Sequence, residues 1–328
     1  MALPPLGLYV HLPWCERKCP YCDFNSHELE SIPESDYLSA LLSDLAQDSG
    51  LAQGRQVATI FIGGGTPSLF QPETIAQLLS GIGKRVELEA GAEVTMEANP
   101  GSAEADKFLG FRQAGVNRLS VGVQSFDDQA LSSLGRVHDR ERALRAIEYA
   151  LAADFDSINI DLMHGLPGQT ASTGAEDLAT AIACEPAHLS WYQLTIEPNT
   201  VFYKRPPLLP VEDELADIQE AGEAMLAAAG YDQYEVSAYS RDGLHCRHNL
   251  NYWRFGDYLA IGAGAHGKVS RPDGHIRRYA KTRGPQDYMN AAGSWTASER
   301  LLRHEEIISE FMLYALRLNE GFSVCQFE

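Results

Sequence analysis

CERKCPYCDF, Cys15 to Phe24, packs three of the chain's six cysteines into eight residues. The spacing is C-x3-C-x2-C, and Phe24 stands where a further C-x-C step would place a fourth thiol. Three thiolates are an odd number for disulfides and one short of a closed tetrahedral zinc site. His11 or His27 would complete a Cys3His zinc set, which is the structural alternative. Zinc sites more often bring paired C-x2-C knuckles, however, and the sequence has no second pair. A four-iron cluster held by three cysteines keeps one iron without a protein ligand, free to bind a substrate or cofactor. The cluster reading is the stronger.

Composition bounds the rest. A chain of 328 residues with 45% hydrophobic content suffices for one large α/β domain, or one such domain and a smaller lobe. Its net charge of −19 argues against a general nucleic-acid binder, which neutralises phosphates with excess Lys and Arg. The start, MALPPLGLYVHLPW, has no basic n-region and no long apolar run, so no secretory leader is expected. No stretch approaches the ~20 apolar residues of a membrane span. Cys184, Cys246 and Cys325 are scattered, unlike a disulfide framework. A reducing cytoplasm fits best.

Short β-prone runs alternate with stretches of helical period. Strands are expected near residues 6–12, 57–62, 92–98, 117–124, 157–163 and 188–195. Between them RERALRAIEYALAA repeats apolar Ala143, Leu144, Ile147, Ala150 and Leu151 at helical steps. DELADIQEAGEAMLAAAG does the same with Leu215, Ile218, Gly222, Met225 and Leu226, and Gly230 is its expected stop. Repeated β-then-α units imply parallel strands with right-handed crossovers. A Rossmann sheet is the competitor, but GGGTPS at Gly63–Ser68 is not G-x-G-x-x-G. Polar residues instead close several different strands: the cysteine loop, GGGT, Glu97, Gln124 and Asp161. That distribution favours a barrel mouth, and six units would close about three quarters of an eight-unit barrel.

After residue 230 the texture changes to Gly, His and aromatics, and SERLLRHEEIISEFMLYALRLNEG then looks helical. The expected division is a barrel over residues 1–230 and a smaller α+β lobe over 231–328, the latter expected to be incomplete at its C-terminus.

C-x3-C-x2-C after a first strand resembles the signature of the radical S-adenosylmethionine (SAM) superfamily. YVHLPWC, CDF, GGGTPS, EANP, VGVQSF, LGR.H and DLMHGLPGQT are similar to the branch that holds oxygen-independent coproporphyrinogen dehydrogenase and the HemW family of haem chaperones. The resemblance implies a partial (β/α)6 TIM-like barrel and a [4Fe-4S] cluster on Cys15, Cys19 and Cys22. It also implies that S-adenosyl-L-methionine binds the open iron and is cleaved by one electron to a deoxyadenosyl radical. Tyr9 would lie beside that cofactor, and Gly64, Gly65 and Thr66 would let backbone approach its amino group. Glu97 and Gln124 would bond its ribose and amino groups, Arg136 its carboxylate, and Asp161 would reach the same mouth.

On the residues alone these positions stay open. GGGT reads as a tight turn, Arg136 as a helix-end cation and Asp161 as a turn residue. HNLNYW, His248–Trp253, reads as a His-Asn turn with two buried aromatics sealing a small lobe. The resemblance to the HemW family makes His248 the expected haem ligand, with His245, Cys246 and His266 as rivals. The dehydrogenases carry a fourth cysteine at the place of Phe24 and an N-terminal arm before strand one, for which this sequence leaves no room. The expected role is therefore haem binding and delivery to apo-haemoproteins. A one-electron donor such as flavodoxin is an expected partner, and membrane contact is at most transient. The alternative is coproporphyrinogen decarboxylation.

Overall fold

In strand β1 (Leu6–Leu12), Leu6, Leu8, Val10 and Leu12 are all buried in the main core, while Tyr9 and His11 carry polar groups to the other face. This alternation recurs along the chain and dictates a sheet with helices on its apolar side. The computed structural model describes residues 3–102 and 105–327; the side chain of Cys325 lies outside the described residues.

Two short strands, β2 (Trp14–Cys15) and β3 (His27–Glu28), pair in parallel and bracket the cysteine loop. Then α1 (Glu34–Asp48) crosses to β4 (Val57–Gly64), α2 (Pro72–Gly83) to β5 (Leu88–Ala98) and α3 (Ala105–Ala114) to β6 (Arg118–Gln124). The helices α4 (Asp128–Ser133) and α5 (Arg140–Ala152) lead to β7 (Ser157–His164), and α6 (Ala171–Ala183) leads to β8 (His188–Gln193). Two more helices follow, α7 (Val201–Lys204) and α8 (Glu212–Ala228). Strands β1, β4, β5, β6, β7 and β8 are neighbours in that order and all parallel. These are the six expected units.

The helices form where their periodicity placed them. Asp139 caps α5 by accepting the Arg142 N–H, and the helix buries Ala143, Ala146, Ile147 and Ala150. Leu151, expected on that face, is 47% exposed. Helix α8 buries Ile218, Gly222 and Leu226, and the chain turns at Gly230 with φ +80°.

Beyond Gly230 the chain extends both edges of the same sheet. A hairpin of β9 (Asp232–Glu235) and β10 (Ala238–Ser240) pairs antiparallel onto β8. After α9 (Arg247–Trp253), β11 (Asp257–Ile261) lies parallel against β1 on its free side. Next come β12 (His266–Ser270), β13 (Ile276–Lys281), α10 (Pro285–Met289), β14 (Thr296–Leu301), α11 (His304–Ala315) and α12 (Val324–Phe327). The twelve-stranded order runs β14-β13-β12-β11-β1-β4-β5-β6-β7-β8-β10-β9. Its two ends do not pair, so the architecture is a partial barrel.

Two local readings are corrected. Residues 298–301, expected as the start of a helix, belong instead to β14, an exposed edge strand tied to β13 by the Arg277–Glu299 ion pair at 2.5 Å. HNLNYW is not a turn but most of α9. The Glu93 carboxylate accepts the backbone N–H groups of Arg247 and His248 at 3.0 and 2.9 Å, which satisfies the first turn of that helix. Among the described residues, no helix is long and apolar enough to cross a membrane.

Candidate functional site

The cysteine loop is pinned from three sides. Asn25 donates to the carbonyls of Ala263 and Arg283 at 2.9 and 3.0 Å, and its own carbonyl meets His11 Nε2 at 2.9 Å. Pro20 accepts the Phe202 N–H at 3.0 Å. On the third side Gly65 donates to the Leu12 carbonyl and Thr66 to the Trp14 carbonyl, at 2.8 and 2.7 Å. A Cβ on Gly65 would stand 2.4 Å from the Trp14 oxygen, far inside contact distance. The glycines of GGGT thus let the backbone that carries Cys15 lie against the end of β4.

Cys15, Cys19 and Cys22 line one cavity of about 220 Å³, together with Gly64, Gly65, Thr66, Glu97, Gln124, Arg136 and Asp161. All but Tyr9 and His248 of the expected site residues meet here. The three thiols are free. Burial raises Cys15 and Cys22 above the ordinary thiol range, partly offset by hydrogen bonds from Thr66 and Ser26 at Cys15, and at Cys22 from the Phe24 backbone and Ser26. Among the described residues, no three Cys, His, Asp or Glu side chains converge on a point that one metal ion would fill.

The acidic side of the cavity is poised. Burial, then the negative field of Asp161, lifts Glu97 from 4.5 to about 7, while the Gly64 N–H at 3.1 Å restrains the rise. Asp161 is also raised by burial, and it accepts from Ser120 Oγ and Asn159 Nδ2 at 2.8 Å each. Opposite them, Arg136 donates to the Gly122 carbonyl at 2.7 Å and reaches Cys19 Sγ at 3.6 Å and Tyr21 Oη at 3.4 Å. Its Nε is buried without a partner. Gln124 sits at the end of β6 with φ +73°, a strained conformation for a residue that has a Cβ.

The sequence reading missed two tyrosines. Tyr192 donates to Gln124 Oε1 at 2.7 Å, and Tyr21 contacts Arg136; both line the cavity. Tyr192 follows the same rule that exposed Glu97 and Asp161, since it lies near the end of β8 on the polar face, two residues beyond Ser190.

Tyr9 and His248 are not among the residues lining this cavity, although Tyr9 lies within electrostatic reach of Glu97. The Tyr9 hydroxyl bonds His11 Nδ1 at 2.9 Å, and its ring stacks on Phe61 with centroids 6.3 Å apart. His248 is 1% exposed and also stacks on Phe61, with centroids 5.2 Å apart. Its Nδ1 meets Thr59 Oγ1 at 2.8 Å and its Nε2 meets Tyr252 Oη at 3.0 Å. Burial, then Arg118, lowers His248 to about 3, so the ring is neutral and both nitrogens are engaged.

This arrangement has close counterparts. A family model described as the radical SAM superfamily matches residues 9–181. The protein named heme chaperone HemW from Escherichia coli strain K12 is 54% identical, over 97% of this chain and 84% of that protein. The protein of the same name from Bacillus subtilis strain 168 is 35% identical, over 97% and 85%. The chain belongs to the radical SAM superfamily and, within it, to the HemW family. Among solved structures, coproporphyrinogen III oxidase (HemN) from Escherichia coli, a radical SAM enzyme, superposes with a TM-score of 0.82. The likeness covers 97% of this chain and 76% of that one at 25% identity. The superfamily match runs from β1 to α6, so it spans every strand end that supplies the cavity except that of β8.

Proposed function

We propose that this chain is a haem chaperone of the radical SAM type, which binds haem and delivers it to apo-haemoproteins. The observation that carries this reading is its likeness over 97% of its length to a protein named heme chaperone HemW. Phe24 supports it: the ring is 61% exposed at the cavity wall, where the dehydrogenases resembled would carry a fourth thiol.

In this reading Cys15, Cys19 and Cys22 hold a [4Fe-4S] cluster. The donor set suits it, because three unpaired thiols share one cavity and Arg136 stands beside Cys19 to offset thiolate charge. Loading releases protons, since buried Cys15 and Cys22 start as thiols. S-adenosyl-L-methionine takes the remaining space, and with the cluster it supplies one-electron chemistry that no side chain here provides. Glu97 and Asp161 face its cationic groups. Arg136 faces its carboxylate and offers the unpartnered Nε. Tyr192 holds Gln124 in the orientation that presents its amide to the cavity. His248, Tyr252 and Trp253 join the haem site only after a rearrangement that frees a ring nitrogen. We place the protein in a reducing cytoplasm, with a one-electron donor such as flavodoxin as a partner.

Anaerobic reconstitution, followed by haem titration and coproporphyrinogen assay on one sample, tests the reading. Bound iron and sulfide, bound haem and no decarboxylated product are expected. The likeness to HemN favours a second reading, coproporphyrinogen dehydrogenation, and product formed with S-adenosyl-L-methionine and reductant would put it in place of the first. One zinc and no iron after reconstitution would reject both.

A further inference from the structure

A buried chain of hydrogen bonds runs through the polar face of the sheet and ends on a carboxylate of the cysteine cavity. Register builds it. Ser120 on β6 pairs with Asn159 on β7, and Asn159 with His188 on β8. Side chains in register on neighbouring strands share one face, so the three meet there. Asp161 lies two residues beyond Asn159 on that face and pairs with Ser190. Tyr234, on the β9 hairpin, reaches the other edge of the His188 ring.

The direction of each bond follows from its donor. The Cys246 N–H can only donate, and it meets Tyr234 Oη at 3.2 Å. Tyr234 gives its own proton to His188 Nε2 at 2.7 Å. Burial, then the Arg118 and His245 charges, lowers His188 well below its ordinary value, so the ring is neutral and its proton sits on Nδ1. That Nδ1–H donates to Asn159 Oδ1 at 2.6 Å, and the Ser190 hydroxyl donates to the same oxygen at 3.1 Å. With its oxygen so engaged, Asn159 turns Nδ2 the other way, to Ser120 Oγ at 2.7 Å and Asp161 Oδ1 at 2.8 Å. Ser120 in turn donates to Asp161 Oδ2 at 2.8 Å. Inverting the Asn159 amide would set its oxygen against the Asp161 carboxylate and its NH2 against two donors. His188 forbids that inversion.

We propose that His188 is a positioning residue for S-adenosyl-L-methionine: through the Asn159 amide it keeps Asp161 a carboxylate aimed into the cavity. The inference rests on the cofactor reading above and adds to it a residue that touches neither cofactor nor cysteine. The groups around Asp161 leave this task to hydrogen bonds. Burial raises its carboxyl, and bonds from Ser120, Asn159 and Ser190 pull it back, followed by the Arg118 charge. Glu97 on β5 and Tyr192 on β8 also lie within its field.

Calorimetry of S-adenosyl-L-methionine binding to the anaerobically reconstituted protein, at pH 6 and at pH 8.5, tests the assignment. His188→Phe should weaken binding about tenfold at pH 6, the worth of one charge-assisted hydrogen bond. The deficit should narrow at pH 8.5, because the rising pH ionises the Asp161 that the variant leaves protonated. Glu97 titrates in both proteins and cancels in the ratio. His188→Asn, which keeps a donor at the place of Nδ1, should restore affinity at both pH values. Tyr234→Phe removes a single hydroxyl and should show a smaller loss with the same pH trend, which keeps the test open if His188→Phe fails to fold. Iron and sulfide content should be unchanged in all three variants. If unsubstituted protein binds no S-adenosyl-L-methionine, the cofactor reading falls and this inference with it. If it binds, and the deficit is absent, equal at both pH values or not restored by His188→Asn, this inference alone is overturned and His188 is a packing residue.

Discussion

Glu97 shows how one residue can cost stability and serve binding at once. Its carboxyl rises from 4.5 to about 7, chiefly because it is buried and then because Asp161 stands nearby. The folded chain therefore favours the protonated acid. The stability this gives is fully present below about 4.5 and is lost as pH rises through about 7. A bound cation reverses that preference by stabilising the carboxylate. In metal-free, ligand-free protein, Glu97→Gln should raise the melting temperature at pH 8 by a few degrees, and the gain should fade by pH 5. The same substitution should weaken S-adenosyl-L-methionine by about ten- to a hundredfold in calorimetry, the worth of one charge-assisted hydrogen bond. A variant that gains no stability at pH 8 would show that Glu97 is solvated rather than strained. The cysteines separate just as cleanly. Cys15→Ala, Cys19→Ala or Cys22→Ala should each lose bound iron and sulfide, whereas Cys184→Ala, at the end of α6, should retain both.

At the scale of elements, the site depends on loops that lock together more than on any one strand. Gly65→Ala places a methyl 2.4 Å from the Trp14 oxygen, so the segment carrying Cys15 must retreat. Iron content after reconstitution should fall while the far-ultraviolet circular dichroism stays unchanged. Gly83→Ala, where a methyl meets nothing within 4 Å, is the control and should load fully. Six strands were legible because each alternates a helix-facing apolar residue with one on the opposite face, as Leu119, Val121 and Val123 do between Arg118, Ser120, Gly122 and Gln124. The polar ends of those strands made most of the cavity legible as well. What escaped was non-local. Nothing in residues 257–261 announces that they pair with residues 6–10, because that ladder depends on chain returning from about 250 positions away. Residues 298–301 misled by propensity, since Glu, Arg and Leu favour helix until a neighbouring strand offers a ladder. His248 was legible as part of a motif, but not as a core residue bonded to Thr59.

Across the whole molecule, the division near residue 230 is proposed as one of architecture and not of folding. Strand β11 covers the free edge of β1, and residues from both segments share one core. A buried ionic network fastens them further. Lys281 on β13 has a fully buried side chain and meets Asp44 and Asp48 of α1 at 2.5 and 2.6 Å. Tyr288 of α10 donates to Asp44 at 2.6 Å, and Tyr37 of α1 donates to the His11 carbonyl at 2.9 Å. The network therefore runs from the C-terminal strands through α1 to the strand that precedes the cysteines. Removing Lys281 would leave two carboxylates buried without their cation, and breaking a buried pair in this way costs about 3–5 kcal/mol. Unsubstituted protein should melt in one calorimetric transition. Lys281→Ala should melt earlier, still in one transition, and should lose the iron–sulfur cluster in the same step. If the two segments were independent folding units, the scan would instead resolve two transitions, with the cluster surviving the first, and the network would be no more than a local clasp.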